Sequence, residues 1–117
     1  MGSAAGSATL VLAVLLAGGC GTSAAGSASA TETTCQQVSA VLSDGPDPGA
    51  DPVGYAEAQM LPLRQIRSAN EVLRAAIGQL ADAYQQFFAS DGQSNSAKEA
   101  VALASKKLNS ICPGAAS

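Results

Sequence analysis

The chain has 117 residues, 47% of them apolar and only 3% aromatic, with 6 basic against 9 acidic side chains, three cysteines and neither histidine nor tryptophan. That is enough for one small domain. A net charge of −3 argues against nucleic-acid binding, which needs a basic face to neutralise phosphates, and the lack of histidine removes the usual proton shuttle near neutral pH.

The averages hide an asymmetry, because no charged side chain precedes Glu32. Residues Ala8 to Ala17 read ATLVLAVLLA, an apolar run too short to cross about 30 Å of hydrocarbon as a helix rising about 1.5 Å per residue. It fits the h-region of a signal peptide. The following string Leu16-Ala17-Gly18-Gly19-Cys20 resembles the lipobox of bacterial lipoproteins, and the Ala/Gly-rich composition is similar to that of lipoproteins from high-GC actinobacteria. The resemblance implies that residues 1–19 are a signal peptide that is removed. It also implies a diacylglyceryl anchor on the Cys20 sulfur and an extracytoplasmic place on the outer face of the cell membrane. Taken alone, the residues also allow an ordinary signal peptide or a buried helix. Residues 20–33 are Gly, Ala, Ser and Thr with one Cys and one Glu. Their composition reads as a flexible tether with a root-mean-square reach of about 20 Å.

From 34 to 113 the hydrophobic spacing is helical and no stretch alternates like a strand. The expected fold is all-α: a small disulfide-linked bundle of three helices, or four if the long one breaks at Pro62, with residues 114–117 frayed. Cys35, Val38 and Leu42 share one face of a short first helix of about 12 residues, with Val41 beside them, and Asp44-Gly45-Pro46 ends it. Leu63, Ile66, Asn70, Leu73, Ile77, Leu80, Tyr84 and Phe87 fall at alternating steps of three and four, a heptad seam with one polar member. Arg67, Glu71 and Arg74 have ion-pair spacing off that seam. Asp51-Pro52 is a cap and first-turn pair, so the second helix is expected from there to about Ala89, kinked or broken near Pro62. Asp91-Gly92 marks a turn. Ala97, Val101, Ala104, Leu108 and Ile111 then define a third helix from about Ser94, with Lys106 and Lys107 near its end and Pro113-Gly114 stopping it.

Lipidation of Cys20 would leave Cys35 and Cys112 as an even pair, and an oxidising compartment favours a disulfide between them. Two short helices folded back from the ends of a 38-residue one bring these cysteines toward its middle, short of contact by about 13 Å. The bridge answers a need: Leu, Ile, Val and Phe supply only 17 of the 98 residues from Cys20 onward, a composition bordering on disorder.

No catalytic residue is nominated. With the cysteines committed and histidine absent, neither a thiol nucleophile, a Ser/His/Asp arrangement nor the common zinc ligand sets can be built. No metal site or cofactor is expected. The segment Ser43 to Tyr55, SDGPDPGADPVGY, is the most unusual. Its carboxylates at Asp44, Asp47 and Asp51 lack EF-hand spacing, and each Asp precedes Gly or Pro, where it serves a turn. A stiff loop of this kind still makes a docking surface, with Tyr55 as an anchor. Arg64, Arg67 and Arg74 read as solvated charges more readily than as headgroup contacts. Two functions remain. One is a non-catalytic protein-interaction module of the cell envelope, using Asp44, Asp47, Asp51 and Tyr55 against an unknown envelope protein. The other is a carrier or sensor of a small apolar ligand or lipid held near Tyr84, Phe87 and Phe88.

Overall fold

A computed structural model describes residues 19–116, with side chains from Ala30 onward, and shows four helices and no strand among those residues. The apolar run 8–17 lies outside the described residues, as does the side chain of Cys20. Three helices start at a polar side chain that accepts an otherwise unbonded backbone N–H, the usual function of a helix N-cap. Asp51 Oδ1 accepts from Gly54 N at 2.9 Å and opens α2, Pro52–Gln65. Asn70 Oδ1 accepts from Leu73 N at 3.1 Å and opens α3, Glu71–Ala89. Ser94 Oγ accepts from Ala97 N at 3.1 Å and opens α4, Asn95–Ile111.

The first helix, α1, spans Gly19–Leu42 and is longer than the 12 residues expected. Its backbone is helical through the stretch whose composition reads as a tether. Alanine, the best helix former, recurs there, and no proline intervenes. Packing begins at Thr34, followed by the expected face of Cys35, Val38, Val41 and Leu42.

The long helix is broken, but not at Pro62. Pro62 lies inside α2, and three more helical residues follow it; the chain leaves the helix at Ile66 with φ −70° and ψ 125°. Proline removes one hydrogen bond to the preceding turn, which is tolerable so near a helix end. The decisive residue is Asn70. It does not face a partner helix in a seam; it caps α3, and its own N–H donates to Ser68 Oγ at 3.2 Å. Short polar side chains compete for nearby backbone in this way, offering the chain an alternative to continuing the helix.

α2 and α3 therefore run antiparallel, and α3 packs between α2 and α4. The seam residues Leu73, Ile77, Leu80 and Tyr84 are buried, and so are Ala76, Ala81 and Ala83, because two helices cover α3. Two-sided coverage explains why small residues accompany the seam. At Gly92 the chain turns with φ +72°, and a Cβ there would lie 3.1 Å from Val53 Cγ2. The start of α2 thus abuts the α3–α4 turn. The Gln65–Asn70 elbow and the end of α4 consequently share the opposite end of the bundle.

There the disulfide closes. Cys35 and Cys112 are bonded with Cα atoms 5.4 Å apart across 77 residues of chain. Folding α2 back on α3 removes the gap that an unbroken helix would leave. Of the tail 114–117 expected to be frayed, residues 114–116 are described: Ala115 is buried and its N–H donates to Cys112 O at 3.0 Å, while Ala116 N donates to Asn109 Oδ1 at 2.7 Å. The left-handed Gly114, φ +79°, makes this turn after Pro113. Lys106 and Lys107 stop short of the last turn of α4, so the helix-end role expected of them is not met.

Candidate functional site

Tyr55 stands in the first turn of α2 and ties the start of that helix to the end of α1. Its hydroxyl donates to Leu42 O at 2.6 Å, satisfying a carbonyl that the helix end leaves without a partner. Its ring meets Tyr84 of α3 edge to face, centroids 5.8 Å apart at 79°, the arrangement that aromatic quadrupoles favour. Burial pushes the Tyr84 phenol well above its ordinary value, Tyr55 adds to that effect, and a hydrogen bond with Ser105 opposes it. Burial also raises Tyr55, with the Tyr84 hydrogen bond pulling the other way.

Beside this pair opens a cleft of about 210 Å³ lined by Pro48, Pro52, Tyr55, Tyr84, Phe87, Lys98 and Val101. The structure thus brings together two groups that the sequence places apart, the Pro/Gly loop with Tyr55 and the aromatic residues of α3. Phe88 is not among the lining residues and is 36% exposed. One helical residue from Phe87 is a turn of about 100°, which carries Phe88 off the cleft-facing side.

The three aspartates have local roles. Asp44 Oδ1 accepts from Gly45 N at 2.9 Å, Asp47 Oδ1 from Gly49 N at 2.8 Å, and Asp51 caps α2. They shape the loop, and it is Pro48 and Pro52 that reach the cleft. Among the described residues no three His, Cys, Asp or Glu side chains come together where they could hold a metal ion. Lys98, the one charged group lining the cleft, forms no ion pair among the described residues. Sequence reasoning missed Pro48, Pro52, Val101 and Lys98 as cleft residues. The proline positions were visible, but which face of the loop would turn inward depends on how α2 folds back.

Behind the loop, Gln59 is buried in α2. Its Nε2 donates to Asp44 O at 2.8 Å, while its Oε1 is buried without a hydrogen-bond partner among the described residues. Gly45, φ +96°, permits this close pass, since a Cβ there would lie 3.2 Å from Gln59 Nε2.

No protein-family model, no characterised protein and no solved structure matches the chain. Among the described residues no helix is long and apolar enough to cross a membrane.

Proposed function

We propose that this chain is a lipoprotein anchored through Cys20 to the outer face of the cell membrane, whose helical domain binds an envelope protein and performs no chemistry of its own. The anchor reading rests on the lipobox-like residues Leu16 to Cys20. The binding reading rests on the cleft beside Tyr55. Its size favours a side chain over a whole ligand. A cleft of about 210 Å³ is smaller than the roughly 300–1,000 Å³ of sites that enclose a whole organic ligand. A cavity of about 150 Å³ is enough for a benzene ring, so the cleft suits one bulky apolar side chain presented by a partner. Lys98 at its edge favours a partner with a carboxylate beside that side chain.

A photo-crosslinking residue placed at Pro48 in the full-length protein, used in intact cells, tests the reading. A defined partner captured by this variant and lost when Phe87→Ala empties one wall of the cleft supports it. A covalently trapped small molecule would favour the second reading, a carrier of an apolar ligand, for which the apolar lining of the same cleft speaks. Capture identical with and without Phe87 sinks both. Intact mass of the mature protein under non-reducing conditions tests the anchor, since an unmodified Cys20 overturns it.

A further inference from the structure

The chain has three arginines, Arg64, Arg67 and Arg74, and all three line one hollow at the elbow between α2 and α3. The hollow measures about 600 Å³ and its lining includes Ile66, Ile77 and Gly78. It lies at the other end of α2 from the Tyr55 cleft, and its chemistry differs. We propose that it binds the phosphate-bearing headgroup of an anionic phospholipid.

Planar guanidinium groups with several fixed donors suit phosphate oxygens, and an arginine keeps its charge at any physiological pH. Arg67 has no acidic partner among the described residues. Arg74 stands 3.9 Å from Glu71, with both side chains largely exposed at 63% and 86%, a contact too loose to hold the guanidinium against a competing anion. Arg64 is engaged through Nη2 alone, to Asp82 at 2.8 Å and Gln85 at 2.7 Å, both outside the hollow. Its guanidinium is thus turned toward these two, which leaves Arg67 and Arg74 as the arginines that reach the anion.

The apolar lining argues for a lipid over a free anion. Ile66, half-buried beside the arginines, adds nothing to the binding of inorganic phosphate, but it offers a surface to the glycerol and first acyl carbons of an amphiphile. Position agrees. The elbow shares its end of the bundle with the Cys35–Cys112 bond, the end from which α1 runs back toward Cys20. The hollow stands on its own chemistry whether or not Cys20 is acylated.

Short-chain phosphatidylglycerol, short-chain phosphatidylcholine and inorganic phosphate, each kept monomeric, are titrated into the full-length chain while arginine side-chain NMR signals are followed. Saturable binding of phosphatidylglycerol that shifts the Arg67 and Arg74 signals is expected, with Arg67→Ala weakening it about tenfold, the loss of one charge-assisted hydrogen bond. Gly78→Leu is the second variant. A Cβ at Gly78 meets nothing within 4 Å, so the helix accepts the side chain, which then fills the hollow and blocks binding without unfolding the domain. Inorganic phosphate binding as tightly as phosphatidylglycerol would overturn the lipid assignment in favour of a free-anion site. Equal affinity for phosphatidylcholine, or unchanged affinity in Arg67→Ala and Gly78→Leu, would overturn the site itself.

Discussion

Tyr55 and Tyr84 meet edge to face with ring centroids 5.8 Å apart, and Tyr55 alone of the two hands its hydroxyl to the last turn of α1, at Leu42 O. One side chain thus joins three helices: it belongs to α2, packs on α3 and terminates α1. The same ring forms a wall of the cleft, so the joint and the candidate binding surface are one piece of structure.

Tyr55→Phe separates these roles. It keeps the ring against Tyr84 and the cleft wall but leaves Leu42 O without its donor and removes the hydrogen bond shared with Tyr84. The expected cost is about 2 kcal/mol of stability, at the typical net worth of roughly 1 kcal/mol for each neutral hydrogen bond. Urea unfolding should show a lower midpoint at unchanged slope. Capture of a partner through Pro48 should persist at concentrations of urea too low to unfold the variant. A loss of capture without a loss of stability would assign the hydroxyl itself to binding.

Alkaline pH should weaken the domain through Tyr84. Burial holds its phenol neutral in the folded state well above the ordinary value, near 10 in an unfolded chain. Below that value both states keep the proton and stability is unaffected. Above it the unfolded state releases a proton that the folded state retains, so stability falls with rising pH. Unfolding midpoints measured from pH 8 to pH 11.5 should decline beyond about pH 10. Tyr84→Phe should flatten the decline without abolishing it, because Tyr55 is raised in the same sense.

Asn70 offers a direct test of the elbow. As the N-cap of α3, its replacement by alanine should cost about 1 kcal/mol, while Asn70→Asp or Asn70→Ser should be tolerated. Asn70→Leu is the informative variant. A polar interruption of a heptad seam would be improved by leucine, whereas a cap is destroyed by it. Denaturant midpoints that rank Leu below Ser at this position bear out the cap.

The ambiguity at Asn70 shows where the sequence stops being readable. The seam from Leu73 to Phe87 and the α4 face from Ala97 to Ile111 are periodic, and periodicity reports local conformation faithfully because burial imposes it. The aspartate and serine caps, Asp51 and Ser94, stand where a proline or a turn already marks a boundary. Asn70 carries no such mark: it sits in phase with the seam and is also a competent capping residue, and only tertiary packing chooses between the two. From that single choice follow the antiparallel α2, the meeting of Cys35 with Cys112 at one end, and the inward turn of Pro48 and Pro52. The cleft was therefore half visible. Tyr55, Tyr84 and Phe87 stand out as the scarce aromatics, whereas Lys98 and Val101 look like ordinary helix surface until α4 is laid against α3.

Removing the disulfide should be costly. It joins residues 77 apart in a chain poor in large apolar side chains, and the chain-entropy model assigns a loop of that length about 4 kcal/mol. That is a large share of the total for a small domain. Replacing Cys35 and Cys112 together by Ser should lower the urea midpoint far more than any other change considered. Hydrogen exchange should show protection lost first in α1, which the bond ties to α4, while the α3–α4 pair keeps more of its own. Uniform loss across all four helices would mean that the bundle cannot fold without the bond.

Gln59 is buried with its Nε2 bonded to Asp44 O and its Oε1 without a partner among the described residues. An orphaned buried acceptor costs roughly 1–3 kcal/mol, more than a single neutral hydrogen bond returns. Gln59→Met keeps the length and removes both the orphan and the bond. Asp44, an exposed residue, can turn its carbonyl to water, so the variant should match or exceed the wild type in stability. Gln59→Glu should do the opposite. At pH 7 it places a carboxylate where burial disfavours charge and deletes the donor to Asp44 O, so the folded state must bind a proton or unfold. Its carboxyl is then held above the ordinary range near 4 in the folded state only. Stability is restored as pH falls through that raised value, because the folded state takes up a proton before the unfolded state does. Urea midpoints of the Gln59→Glu variant measured between pH 4 and pH 8 should therefore rise toward acid while those of Gln59→Met stay level. Parallel curves for the two would mean that the amide oxygen is solvated, and that the space beside Gly45 is open to water.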